Sequence, residues 1–175
     1  MIPHHRLFAA CATLSLVMAT HALAGQSTSG TVAAPAKLEI SGDVRSPLSL
    51  MADELKAMPR TRVELKGEDG RTTAYEGVLV ADLLRRAGAP LGNDLRGAAL
   101  ATYVMATASD GYQVLFSLAE LDPAMTNRQV IVADVAEGKA LAPQQGPLRI
   151  VMPGDVHPTR SVRMLVRLEV IRLKK

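Results

Sequence analysis

The chain has 175 residues, a formal net charge of +3, 3% aromatic residues and a single cysteine. So small a positive surplus, with so few aromatics, excludes bulk nucleic-acid binding and base-stacking platforms. One cysteine excludes a disulfide framework, and the length fits one domain.

The N-terminus reads as a targeting segment. His4, His5 and Arg6 precede an apolar run from Leu7 to Met18, and Ala22-Leu23-Ala24 forms an A-x-A cleavage site. This is the layout of a secretory signal peptide over residues 1–24, and its run is too short to span a bilayer. Cleavage there removes Cys11 and every histidine except His157. The mature chain then offers no thiol nucleophile and no Cys/His zinc site. It has no second apolar run of membrane-spanning length. The expected location is the periplasm or the exterior, by a Sec-type route. Residues 25–36, rich in Gly, Ser, Thr and Ala, read as a flexible leader to a domain over 37–175.

Along that domain, "KLEIS" alternates as a strand. Ser49 is placed to cap a short helix in which Met51, Leu55 and Met58 share a face and Pro59 is the stop. "RVELK" and "TTAYEGV" are strands around the polar turn "GEDGR". Val80, Leu83, Leu84 and Ala87 mark a second amphipathic helix, with Gly88 at its C-cap. "TYVMATAS" and "YQVLFS" flank Asp110-Gly111, the strongest short-range hairpin signal. "VIVAD" is a strand, Glu137-Gly138 a turn, and "PLRIVM" and "VRMLVRLEVIRL" are the last two strands. In the final strand Met164, Val166, Leu168 and Val170 are expected on one face. About eight strands and two short helices, without strand–helix alternation, give an α+β class with a mixed, mostly antiparallel sheet.

Chemistry concentrates in "VMPGDVHPTRSVR", residues 151–163. A Pro-Gly turn is followed by His157, a stiffening Pro158 and the cations Arg160 and Arg163. Arginine's planar fork suits phosphate or carboxylate, and His157 can supply a hydrogen bond or sense pH. The ordinary reading of the same residues is a solvated basic loop. Arg160 and Arg163, three apart, converge on one anion only if the chain is irregular at Arg160 and the strand starts near Ser161. Arg85 and Arg86 lie on the polar side of a helix, where solvated charge is the ordinary role.

Four segments in order, "YEGVLVADLLRRAG", "ASDGYQVLFSLAEL", "VADVAEGKALAPQQGPLRIVMPGD" and "TRSVRMLVRLEV", resemble the molybdopterin-binding domain of the sulfite oxidase family. The resemblance runs from about Lys37 to Leu173. It implies a pterin pocket among loops at one end of a sheet. The family's "K-S-x-K" cations fall on Arg160-Ser161-Val162-Arg163, and its "DGY" on Asp110, Gly111 and Tyr112. The family's molybdenum-ligating cysteine falls at Leu65 or Lys66, neither of which is a thiolate, the form that ligates such a soft metal. Members loaded with cofactor in the cytoplasm leave folded through a twin-arginine signal, and this signal has only Arg6.

The expectation is therefore an exported, non-catalytic binding module on a molybdopterin-oxidoreductase fold, with no cofactor. It would hold a small anionic ligand or a periplasmic protein partner through His157, Arg160, Ser161, Arg163, Asp110 and Tyr112. Two alternatives stand beside it. One is a periplasmic molybdopterin-dependent oxidoreductase. The other is an accessory subunit of a membrane or periplasmic complex. No metal site and no nucleic-acid partner are expected.

Overall fold

The computed structural model of the protein describes residues 36–174. The expected signal peptide, with Cys11, and nearly all of the expected leader lie outside the described residues.

The strands are β1 (Lys37–Gly42), β2 (Leu48–Met51), β3 (Thr61–Lys66), β4 (Thr72–Leu79), β5 (Thr102–Ala108), β6 (Gln113–Ser117), β7 (Ile131–Ala136), β8 (Lys139–Ala140), β9 (Arg149–Val151) and β10 (Leu165–Arg172). One sheet runs β2-β1-β10-β5-β6; the other runs β3-β4-β7-β8, with β9 also paired to β7. Among the described residues only β1 and β10 pair in parallel; every other pair is antiparallel. The α+β class with a mixed, mostly antiparallel arrangement is the one observed.

Period-two patterning builds the main core. β5 alternates buried and half-buried residues along its whole length. Leu38 and Ile40 of β1, Val104 and Ala106 of β5, and Leu168 and Val170 of β10 are fully or almost fully buried. They meet Leu83 and Leu84 of α2 (Val80–Ala87) in one apolar cluster. Each buried aliphatic chain of this size contributes about 1.5–3 kcal/mol. Gly88 closes α2 at φ 82°, the left-handed C-cap expected of it. A second, smaller cluster of Val63, Leu65, Tyr75, Ile131, Ala133 and Val151 is built from β3, β4, β7 and β9.

Three expectations need correction. Ser49 does not cap a helix. It lies in β2, opposite Glu39 of β1, and the helix α1 (Ala52–Lys56) begins after Met51, whose backbone N–H donates to the Glu54 carboxylate at 2.9 Å. The alternation of Leu48 and Leu50 outcompetes the helical spacing, so Met51 is exposed. The last strand begins at Leu165, and a register shift between Leu165 and Arg167 turns Val166 outward, off the face of Leu168 and Val170. Finally, the two expected helices are joined by two further single-turn helices, α3 (Leu118–Leu121) and α4 (Pro123–Thr126), capped by Ser117 and Asp122.

Candidate functional site

The segment between β9 and β10 is held by backbone bonds at both ends. Ile150 N–H donates to Val162 O at 2.8 Å, and Leu165 N–H to Leu148 O at 2.9 Å. Ser161 is buried, and its hydroxyl accepts from Met152 N–H at 3.1 Å, closing the neck of the loop. The β5–β6 hairpin is tied to the same segment. Ser109 N–H donates to Met164 O at 2.9 Å, and Tyr112 O–H to Thr159 O at 3.1 Å. Met164 sits between these ties at φ 51°, a left-handed conformation that is strained for a residue with a Cβ.

A cavity of about 680 Å³ opens where these loops meet the β3–β4 turn. That is the ordinary scale of a small-molecule site. Its walls include Glu68, Asp69, Asp110, Tyr112, Arg149 and Arg163, with Pro158, Thr159, Ser161 and Met164. Four of the six residues singled out from the sequence, Asp110, Tyr112, Ser161 and Arg163, are thus brought together.

The other two are not on this wall. His157 is exposed. Arg160 turns away: its Nε and Nη2 donate to both oxygens of Asp155 at 2.9 and 2.8 Å, and its Nη1 donates to Glu120 at 2.5 Å. Its guanidinium also lies over the Phe116 ring, 5.7 Å from the centroid. The convergence of Arg160 and Arg163 on one anion is therefore corrected. Although the chain is irregular at Arg160, as that reading required, a bidentate carboxylate with a second acid beside it already satisfies this guanidinium. The bond to Asp155, then burial, then Glu120 set its titration, which ends above the ordinary arginine range.

The cation that the sequence reading missed is Arg149. It lies in β9 and is only 7% exposed. Its Nη1 donates to the Tyr75 hydroxyl at 2.9 Å and to the Gln145 side-chain carbonyl at 2.7 Å. The guanidinium stands over the Tyr75 ring at 5.0 Å. Its buried Nε has no partner, and among the described residues no carboxylate pairs with it. Burial pushes this group below the ordinary arginine range, the Tyr75 oxygen opposes that, and the nearby Arg163 adds to it. A signal existed: Arg149 is the one charge between Leu148 and Met152, where the other residues are apolar. Buried charges are normally paired.

The fold is thus α+β, two sheets with a ligand-sized pocket at their loop end that is lined by two arginines and three carboxylates. The family model of the oxidoreductase molybdopterin binding domain matches residues 29–175, and the chain belongs to that family. In fold it is similar to the sulfane dehydrogenase SoxCD from Paracoccus pantotrophus, with a TM-score of 0.61 and 22% identity. The likeness covers 77% of this chain and 38% of that one, so the chain spans well under half the length of that relative. No curated protein matches the chain.

The residues present fit one part of a molybdenum–pterin group and not the other. Arg149 and Arg163 suit an anionic end. The resemblance implies a cysteine thiolate on the metal and places that ligand at Leu65 or Lys66. Leu65 is packed in the smaller apolar cluster, and Lys66 is an exposed ammonium. Among the described residues no group of three His, Cys, Asp or Glu side chains could hold a metal ion.

Proposed function

We propose that the protein is an exported, non-catalytic binding module of the molybdopterin-binding oxidoreductase family, and that its pocket holds a small anion on Arg149 and Arg163. The observation that carries this reading is Arg149 itself: a guanidinium 7% exposed, on the wall of a ligand-sized cavity, with no carboxylate partner. Desolvating such an ion without a counter-charge costs several kcal/mol. An anionic ligand supplies the missing charge and offsets that cost on binding. Ser161 shapes the neck of the loop, and Tyr112 fastens the hairpin to the rim. The A-x-A site after an apolar run supports export, and the absence of a thiolate after Ala24 supports a role without molybdenum.

Family membership favours one other reading, a molybdopterin-dependent oxidoreductase. Two measurements on protein purified from its native source decide between them. Elemental and pterin analysis is expected to find molybdenum far below one per chain. Inorganic phosphate, sulfate or acetate is expected to raise the unfolding midpoint of the wild type and to leave that of Arg149→Met unmoved. Near-stoichiometric molybdenum, with turnover of a sulfur oxyanion, would establish the enzyme instead.

A further inference from the structure

Arg149 and Arg163 are only part of the charged lining of the cavity. Glu68 and Asp69 reach it from the β3–β4 turn, and Asp110 from the β5–β6 turn. These carboxylates are not consumed by the fold. Asp69 and Asp110 each use Oδ1 to accept a local backbone N–H at 3.0 Å, from Arg71 and Tyr112 respectively. Arg71 also approaches Asp69 Oδ2, at 3.7 Å on the exposed side. Glu68 is exposed and has no hydrogen bond among the described residues. No ion pair joins this acidic wall to Arg149 or Arg163. The acids do not converge on a point that could chelate a metal ion.

A bare anion at Arg149 shares the cavity with three carboxylates, each of which opposes it. A ligand carrying a cationic group at its other end reverses the sign of that interaction while keeping the guanidinium contact. The two sets of charge come from different segments, the arginines from β9 and the stretch before β10, and the acids from two hairpin turns. We propose that the pocket recognises a zwitterion: an oxyanion head seated on Arg149 and Arg163, and an ammonium or similar cation at the wall of Glu68, Asp69 and Asp110. This rests on the anion-binding reading above and names the ligand class of that same site.

The test is calorimetry of the purified protein at low ionic strength with two matched series. Ethyl-, butyl- and hexylphosphonate carry the head alone, and their ω-amino counterparts add the cation across a range of spans. At least one amino member is expected to bind about tenfold tighter than its amine-free match, the sum of several exposed ion-pair contributions. Glu68→Gln with Asp110→Asn, which leaves Asp69 as the one remaining acid of the three, is expected to cut that preference to about threefold or less and to leave alkylphosphonate affinity equal or higher. Both positions are exposed, and the amide introduced by Asp110→Asn keeps an oxygen to accept from Tyr112 N–H, so the variant retains its turn. Equal affinity of the two series at every length, or a preference undiminished in the double variant, overturns the zwitterion while leaving the anion site standing. Absence of binding by phosphate, sulfate, acetate and both series removes the anion site and the zwitterion together.

Discussion

Arg149 and Arg160 invite comparison because they share so much. Each stands over an aromatic ring, Tyr75 at 5.0 Å and Phe116 at 5.7 Å. Each belongs to the stretch that forms the loop end of the sheets. Yet Arg160 holds Asp155 and Glu120, with Arg128 a further 3.6 Å from Asp155, whereas Arg149 holds two neutral oxygens and leaves Nε empty. The first arrangement is a clamp. It fastens the loop after β9 to the start of α3, and its charges cancel locally. The second is a charge without a counter-ion, kept in place by a phenol and an amide. A guanidinium whose electrostatic needs are met inside the protein has little left for a ligand. One whose needs are unmet is poised to accept one.

Substitutions sharpen this contrast. The largest effect is expected for Arg149→Met. Anion affinity should fall by about 2–5 kcal/mol, the scale for losing a hydrogen-bonded charge partner. Stability should rise by about 1–3 kcal/mol, because an apolar chain of similar length replaces an unpaired buried ion. Isothermal calorimetry and thermal unfolding read the two changes, and their opposite signs are the signature. A drop in stability with unaltered affinity would make Arg149 a clamp like Arg160.

Arg160→Met should behave in the opposite way. It leaves Asp155, whose side chain is 11% exposed, with Arg128 at 3.6 Å as its remaining cation. Arg160 itself keeps about a third of its surface in water. The expected loss is therefore about 1–3 kcal/mol of stability, below that of a fully buried pair. Denaturant unfolding measures it. Anion affinity should move far less than in Arg149→Met, and an equal fall in affinity would erase the distinction.

The smallest effects are at exposed cations. Arg163→Ala should weaken anion binding by about 1 kcal/mol, in a salt-dependent manner, at unchanged unfolding midpoint. Arg85→Ala with Arg86→Ala, on the exposed side of α2, should leave binding and stability within about 0.5 kcal/mol of wild type. Titrations at two ionic strengths separate the pair of variants.

These residues also show where sequence reading succeeds and where it stops. Local chemistry was legible. Asp110-Gly111 made its hairpin, Gly88 its left-handed cap, and the alternation of "TYVMATA" its half-buried strand. The ordered segments 75–170 carried the family. What remained hidden depends on partners far along the chain. Glu120, which occupies Arg160, is 40 residues away, and Tyr75, which supports Arg149, is 74 residues away. Nothing in the spacing of Arg160 and Arg163 announces that one is already matched. Val166 leaves the face its spacing suggests because the register shift between Leu165 and Arg167 carries no sequence mark. Arg149 is the one charge among apolar neighbours, and nothing in the sequence names the groups that cover it. Only the packing of β9 against β7, with Tyr75 beside it, shows them.

The pairing of β1 with β10 has a consequence for how the chain is made. Glu39 and Arg167 lie side by side although 128 positions separate them. The first sheet is continuous only through β10, which sits between β1 and β5. A chain emerging N-terminus first, from a ribosome or across a membrane, carries β1 and β2 as an orphan ribbon until the last strand arrives. Two strands alone are marginal in water, and closing so long a loop is slow. Throughout synthesis the half-finished sheet offers an open edge, a target for holding factors and for proteases alike. The last strand thus acts as a completion signal: until it is delivered the sheet stays in two pieces, and its arrival joins them.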